Sequence, residues 1–96
     1  MSRVGCFARS LSGHDRGCWY IIIEEKENRL LLADGKLRTF RHPKEKNPTH
    51  TEQKADRISD EAMALLQKAD SGIDPMLRRE LKEYRKRQKE GKHVEE

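Results

Sequence analysis

Cysteine, aromatic residues and long apolar runs are all scarce in this chain, and each scarcity removes a class of protein. The two cysteines, Cys6 and Cys18, have no C-x-x-C or Cys/His spacing, which excludes a zinc ribbon or a redox pair. If residues 4–11 and 18–24 form a hairpin, Cys6 and Cys18 lie roughly 16 Å apart along the strands, beyond disulfide reach. Reduced thiols and a cytoplasmic protein are therefore expected. The longest apolar run, residues 18–23, is far too short to span a bilayer, and Met1-Ser2-Arg3-Val4-Gly5 carries no apolar signal core. Catalytic machinery is missing as well. Cys6, Cys18, His14, Asp15, His42 and His50 show no grouping of nucleophile, base and orienting residue. His14-Asp15 beside Gly17 reads as turn chemistry, because Asp accepts local backbone N–H bonds. No phosphate loop, metal-ligand spacing or cofactor fingerprint is present. A non-catalytic protein without cofactor, metal or small-molecule substrate is expected.

What the chain does have is charge, unevenly placed. Of its 96 residues 40% are charged and 33% hydrophobic, with a formal net charge of +4. Residues 1–50 carry ten Lys and Arg against six Asp and Glu, whereas residues 51–96 carry eleven of each sign. The basic half also holds four of the five aromatics, Phe7, Trp19, Tyr20 and Phe40. A core is affordable there, and its excess positive charge favours polyanionic partners. The second half must borrow a core.

Alternation of small apolar residues (Val4, Cys6, Ala8) predicts a first strand over 4–11, and a glycine-flanked turn follows at 12–17. The run Cys18-Trp19-Tyr20-Ile21-Ile22-Ile23 is the strongest strand signal, with Trp19, Ile21 and Ile23 expected inside. A third strand is expected at 30–33, a two-residue hairpin turn at Asp34-Gly35, and a fourth strand over 36–40. From Thr51 the period becomes helical. Ile58, Ala62, Met63, Leu65, Leu66 and Ala69 mark one helix over about 58–70. Asp74-Pro75 opens another over about 75–90, with Leu77, Leu81 and Tyr84 on its apolar face and Gly91 as a stop. The expected organisation is a mainly β domain over 1–50 and a charged helical tail over 51–96, α+β overall.

The segment Val4-Gly5 … Ser10-Leu11-Ser12-Gly13-His14-Asp15-Arg16-Gly17-Cys18-Trp19-Tyr20-Ile21-Ile22-Ile23 resembles the KOW motif, a strand, a loop ending in a key glycine (here Gly17) and a Val/Ile-rich strand. Leu32-Ala33-Asp34-Gly35-Lys36-Leu37-Arg38 and Pro43-Lys44-Glu45-Lys46-Asn47 narrow the resemblance to short bacterial KOW-domain RNA-binding proteins. Those are similar to KOW-containing large-subunit ribosomal proteins of archaea and eukaryotes. The resemblance covers about residues 3–50, and Leu77-Arg78-Arg79-Glu80-Leu81-Lys82-Glu83-Tyr84 looks like their tail helix. It implies an SH3-like barrel that binds ribosomal RNA through its first loop and nearby basic residues. Two departures stand out: His14 occupies a position where Arg or Lys is commoner, and Thr49-His50-Thr51-Glu52 leaves the last barrel strand without a hydrophobic signal.

The residues suit this expectation on their own terms. A strand over 36–40 would set Lys36, Arg38 and Phe40 on one face, cations beside a ring that suit phosphate contact and base stacking. Lys44 and Lys46 extend that face past Pro43, and His14, Arg16 and Gly17 sit on the first loop. Arg41 completes the expected RNA-binding set; Arg9 and Arg41 read equally well as solvated charges, and Phe40 reads more readily as core than as a stacking platform. Arg78, Arg79, Lys82, Arg85, Lys86 and Arg87 are candidate tail contacts to RNA, or a solvated helix face with Glu80 and Glu83 offsetting the cations. The expected partner is ribosomal RNA in the large subunit, with a neighbouring ribosomal protein as a partner for the tail. The rival function is a protein-interaction adaptor of the transcription or translation machinery, docking through the barrel and Leu77, Leu81 and Tyr84.

Overall fold

A computed structural model describes residues 2–69 and 71–94. Five antiparallel strands, β1 (Cys6–Ser10), β2 (Trp19–Lys26), β3 (Arg29–Ala33), β4 (Lys44–Lys46) and β5 (Thr51–Arg57), are followed by helices α1 (Asp60–Lys68) and α2 (Ile73–Val94). Their hydrogen-bonded order is β4-β3-β2-β1-β5. This is a β-rich α+β domain, as the sequence predicts at that level.

The sheet is covered on both faces because its central strands are apolar on both. Cys6, Ala8, Tyr20, Ile22, Leu30 and Leu32 form one buried cluster. Phe7, Ile21 and Ala33, the alternate residues, join a second cluster with Ile58, Ala62, Leu66, Ile73, Met76, Leu77, Leu81 and Tyr84 from the helical half. Tyr84 stacks on Phe7 at 3.9 Å between ring centroids and meets Trp19 edge-on at 5.6 Å. Its hydroxyl donates to Asp56 at 3.1 Å. The helices thus borrow the sheet's core, and the apolar face of α2 is spent inside the molecule. Of the residues expected inside, Ile21 is buried, while Trp19 and Ile23 are only partly covered by the helical layer; Tyr20, on the opposite face, is buried as well.

Only residues 47–50, including a 3₁₀ turn at Pro48–His50, separate β4 from β5, although these strands lie at opposite edges of the sheet. Four inter-strand steps in a flat sheet would span about 19 Å, so the sheet curls. Register shifts between Cys6 and Ala8 and between Ile22 and Glu24 supply the bends.

Three expectations need correction. The tight hairpin turn lies at Glu27-Asn28, between the paired Lys26 and Arg29, with Asn28 at φ 59°. Asp34-Gly35 instead opens a wide loop, and residues 36–40 form no strand. The Asp34 carboxylate accepts the N–H groups of Lys36 (2.9 Å) and Arg38 (2.8 Å), local bonds that replace a strand ladder. Finally, the boundary expected at residue 50 falls inside the domain. Thr51 pairs with Ser10 and Arg57 with Cys6, so β5 completes the sheet despite its polar sequence.

Helix limits also shift from those expected. Ser59 caps α1 by accepting the Ala62 N–H. The second helix starts at Ile73 and continues past Gly91, and Pro75 sits in its first turn, where the missing donor costs nothing. Asp74 is no cap; its carboxylate accepts the Phe40 N–H at 2.8 Å, pinning the wide loop to α2.

Candidate nucleic-acid interface

Two loops leave the same end of the sheet, since Arg9 pairs with Trp19 and Ala33 with Ile21. The first, residues 11–18, carries the expected contacts His14, Arg16 and Gly17, all exposed. Gly17 holds φ +89° while its N–H donates to the Ser10 carbonyl at 2.8 Å, the backbone role its loop position predicts. Between them, Asp15 turns inward. Its carboxylate accepts the hydroxyls of Ser10 (2.9 Å) and Tyr20 (2.8 Å) and the Lys46 ammonium (3.1 Å), with Lys44 at 3.5 Å. Burial alone would raise the carboxyl, but these donors and charges outweigh it and hold Asp15 well below the ordinary carboxylate range. Burial and the bond to Asp15 push the Tyr20 phenol up, beyond its usual range.

This arrangement revises two expectations. Asp15 ties side chains from three strands instead of capping its own turn. Lys44 and Lys46, expected to capture RNA, face that carboxylate; the Lys46 side chain is only 10% exposed and also donates to the Ser12 carbonyl.

The second loop, residues 34–41, lies along the start of α2. Gly35 takes φ +77° there, and a Cβ at that position would collide with the Asp74 carbonyl. The Arg78 guanidinium donates to the Gly35 carbonyl. Phe40 packs on the helical core cluster, so the reading of it as core holds and the stacking platform does not form. Lys36 and Arg38 remain exposed beside this junction.

On α2, residues four and seven or eight apart share a face. Arg78, Lys82, Arg85 and Lys86 therefore form a stripe flanking the buried Leu77, Leu81 and Tyr84. With Asp34, Lys36 and Leu81 this stripe lines a groove of about 520 Å³. Among the described residues, Lys36, Arg38, Lys82, Arg85 and Lys86 have no ion-pair partner. The groove thus joins one expected barrel contact to four expected tail contacts. Sequence reasoning treated these as separate sites; the helical spacing of 78, 82, 85 and 86 held the signal for a stripe, but not for what would face it.

The remaining candidates lie elsewhere. Arg87 sits over the Tyr84 ring at 5.8 Å and lines a smaller cleft with Arg57, Ser59, Glu80 and Glu83. Arg79 is exposed outside the groove, and Arg41 borders a separate cleft with Phe40 and the start of α2. Arg9 pairs with Glu52 at 3.3 Å over the Trp19 ring.

Among the described residues, no His, Cys, Asp and Glu group is placed to hold a metal ion, and no helix is long and apolar enough to cross a membrane. In comparisons with known proteins, the chain matches no family model and no curated relative.

Proposed function

We propose that this chain is a non-catalytic, cytoplasmic RNA-binding protein of the translation apparatus, an SH3-like barrel of the KOW type whose ligand is ribosomal RNA. The observation that carries the reading is the convergence of Lys36 with Arg78, Lys82, Arg85 and Lys86 on one groove: among the described residues the lysines and Arg85 have no ion-pair partner, and the Asp34 carboxylate that also lines the groove accepts backbone N–H groups of its own loop. Unpaired cations brought together by two separate elements suit a polyanion, and phosphate contacts dominate affinity for RNA. The barrel assignment draws support from the five short antiparallel strands, the curl that sets β4 near β5 in the chain, and the two bends within the sheet. The KOW resemblance over residues 3–50 adds the ribosomal ligand. The adaptor alternative loses its main surface, since Leu77, Leu81 and Tyr84 are buried against the sheet.

Replacing Lys36, Lys82, Arg85 and Lys86 together with Ala tests the groove. If it neutralises about five phosphates, raising salt from about 50 to about 200 mM weakens wild-type binding by roughly a hundredfold or more. The variant should lose about three units from the slope of log affinity against log salt, with an unchanged melting curve. Undiminished affinity and slope would overturn the assignment. Sedimentation of the tagged protein through sucrose tests the ligand: co-migration with the large subunit that disappears at high salt is the expected result.

A further inference from the structure

We infer that the loop over residues 34–38 presents Leu37 as an apolar tip that covers an unpaired nucleotide next to an RNA stem held in the basic groove. The inference rests on the RNA-binding reading and names the structural class of RNA which that site prefers.

Leu37 is 85% exposed, whereas the only other exposed large hydrophobic residue described, Leu11, is 42% exposed and lies on the other loop. A loop that merely strays into solvent would be loosely held, and this one is not. The Asp34 carboxylate binds the N–H groups of Lys36 and Arg38, and the Arg38 carbonyl accepts from Asp34 (2.8 Å) and Gly35 (3.0 Å). Gly35 is pressed against α2, with Arg78 bonded to its carbonyl. The backbone that carries Leu37 is therefore closed into a turn, and little backbone entropy remains to be lost when the side chain meets a partner.

Its surroundings select the partner. Lys36 and Arg38 flank it, and Lys36 reaches into the groove with Lys82, Arg85 and Lys86. An apolar side chain amid unpaired cations fits a ligand that is anionic along its backbone and apolar on its faces. Nucleic acid has both properties. Within a continuous helix the base faces are stacked and covered; only a bulged or looped-out nucleotide offers one to a side chain. The described aromatic rings are all buried or packed on the core clusters, so none is left as a stacking platform and Leu37 is the apolar contact available beside the groove. Leucine serves this wedge role against unstacked bases in other nucleic-acid complexes.

The test compares two labelled RNA hairpins, identical except that one carries an unpaired nucleotide in its stem, by fluorescence anisotropy. Leu37→Ser should weaken binding of the bulged hairpin about tenfold, the loss expected when about half of a buried leucyl contact is forfeited. Binding of the paired hairpin and the salt slope should be unchanged, and Leu37→Met should retain nearly full affinity. Because Leu37 touches so little protein, melting curves should coincide for all three chains. Equal affinity of Leu37→Ser and wild type for the bulged hairpin, or equal losses on both hairpins, would overturn the inference while leaving the groove intact. Failure of the wild type to bind either hairpin would remove the RNA reading itself. Leu37-dependent capture by phosphatidylserine vesicles, without preference for the bulged hairpin, would assign the tip to a lipid surface instead.

Discussion

The loops over residues 11–18 and 34–41 leave the same end of the sheet with an aspartate each, yet they leave their basic neighbours in opposite states. Asp15 points into the fold, where two hydroxyls and two lysines converge on it. Asp34 spends a carboxylate oxygen on the backbone N–H groups of its own loop. Lys44 and Lys46 are thereby consumed as internal partners, and Lys36 and Arg38 are left to solvent. A partly buried carboxylate needs nearby donors to offset its desolvation, so it recruits whatever cations the fold brings near. Basic residues close together in sequence are therefore not equivalent as ligand contacts. What decides is which carboxylate each one faces.

Removing Asp15 should break this contrast most severely. In Asp15→Ala the Tyr20 and Ser10 hydroxyls and two ammonium groups lose their common acceptor, and breaking a buried pair from one side costs about 3–5 kcal/mol. Urea unfolding at neutral pH should register that loss, while groove-dependent RNA affinity of the folded fraction stays near wild type. The same bond carries a pH signature. A carboxyl whose folded pKa is depressed stabilises fully above its unfolded value, about 3.9. The stabilisation disappears as pH falls through the folded value. Wild type should therefore lose more stability than Asp15→Ala between about pH 5 and pH 2; parallel losses in the two proteins would refute the coupling.

Two paired substitutions sharpen the comparison at smaller cost. Lys44→Ala with Lys46→Ala should destabilise by about 2 kcal/mol, since hydrogen bonds to an ionised, partly buried partner are lost. Lys82→Ala with Lys86→Ala should change stability by about 0.5 kcal/mol or less per site, as expected of exposed side chains. RNA affinity should reverse the order, falling several-fold for the α2 pair and little for the β4 pair. If the β4 pair instead weakened RNA binding at unchanged stability, Lys44 and Lys46 would return to the interface.

Much of this was legible in the sequence, and the failures share a cause. Residues 18–23 announced β2 because β-branched and aromatic side chains crowd together there, and Ala62, Leu66, Leu77 and Leu81 announced the helices by their spacing. β5 was silent: Thr-Glu-Gln-Lys-Ala-Asp-Arg has little β propensity, and pairing with β1 overrides it. Asp34-Gly35 carried a hairpin signature that the real turn, Glu27-Asn28, lacked, yet contact with α2 took the Asp34 loop elsewhere. The groove was half readable. Its helical stripe follows from spacing, but its opposite wall depends on a loop docking across a long stretch of chain. The Asp15 cluster drew on residues 10, 20, 44 and 46, which only the curl of the sheet brings together.

Gly17 offers the smallest and cleanest probe of the first loop. Its φ of +89° is disfavoured for any residue with a Cβ, yet nothing lies within 4 Å of where that atom would be. Gly35 differs, because there a Cβ strikes the backbone of Asp74. Substitution at Gly17 should therefore cost conformational strain alone, about 1–2 kcal/mol for Gly17→Ala. Valine adds a branched side chain that tolerates this region worse, so Gly17→Val should cost more than Gly17→Ala. Thermal melting of the two variants separates strain from crowding: a graded loss indicates backbone conformation as the reason for glycine. If neither variant shifts the curve, the loop relaxes freely, and the Gly17 N–H bond to Ser10 does not set the position of Asp15.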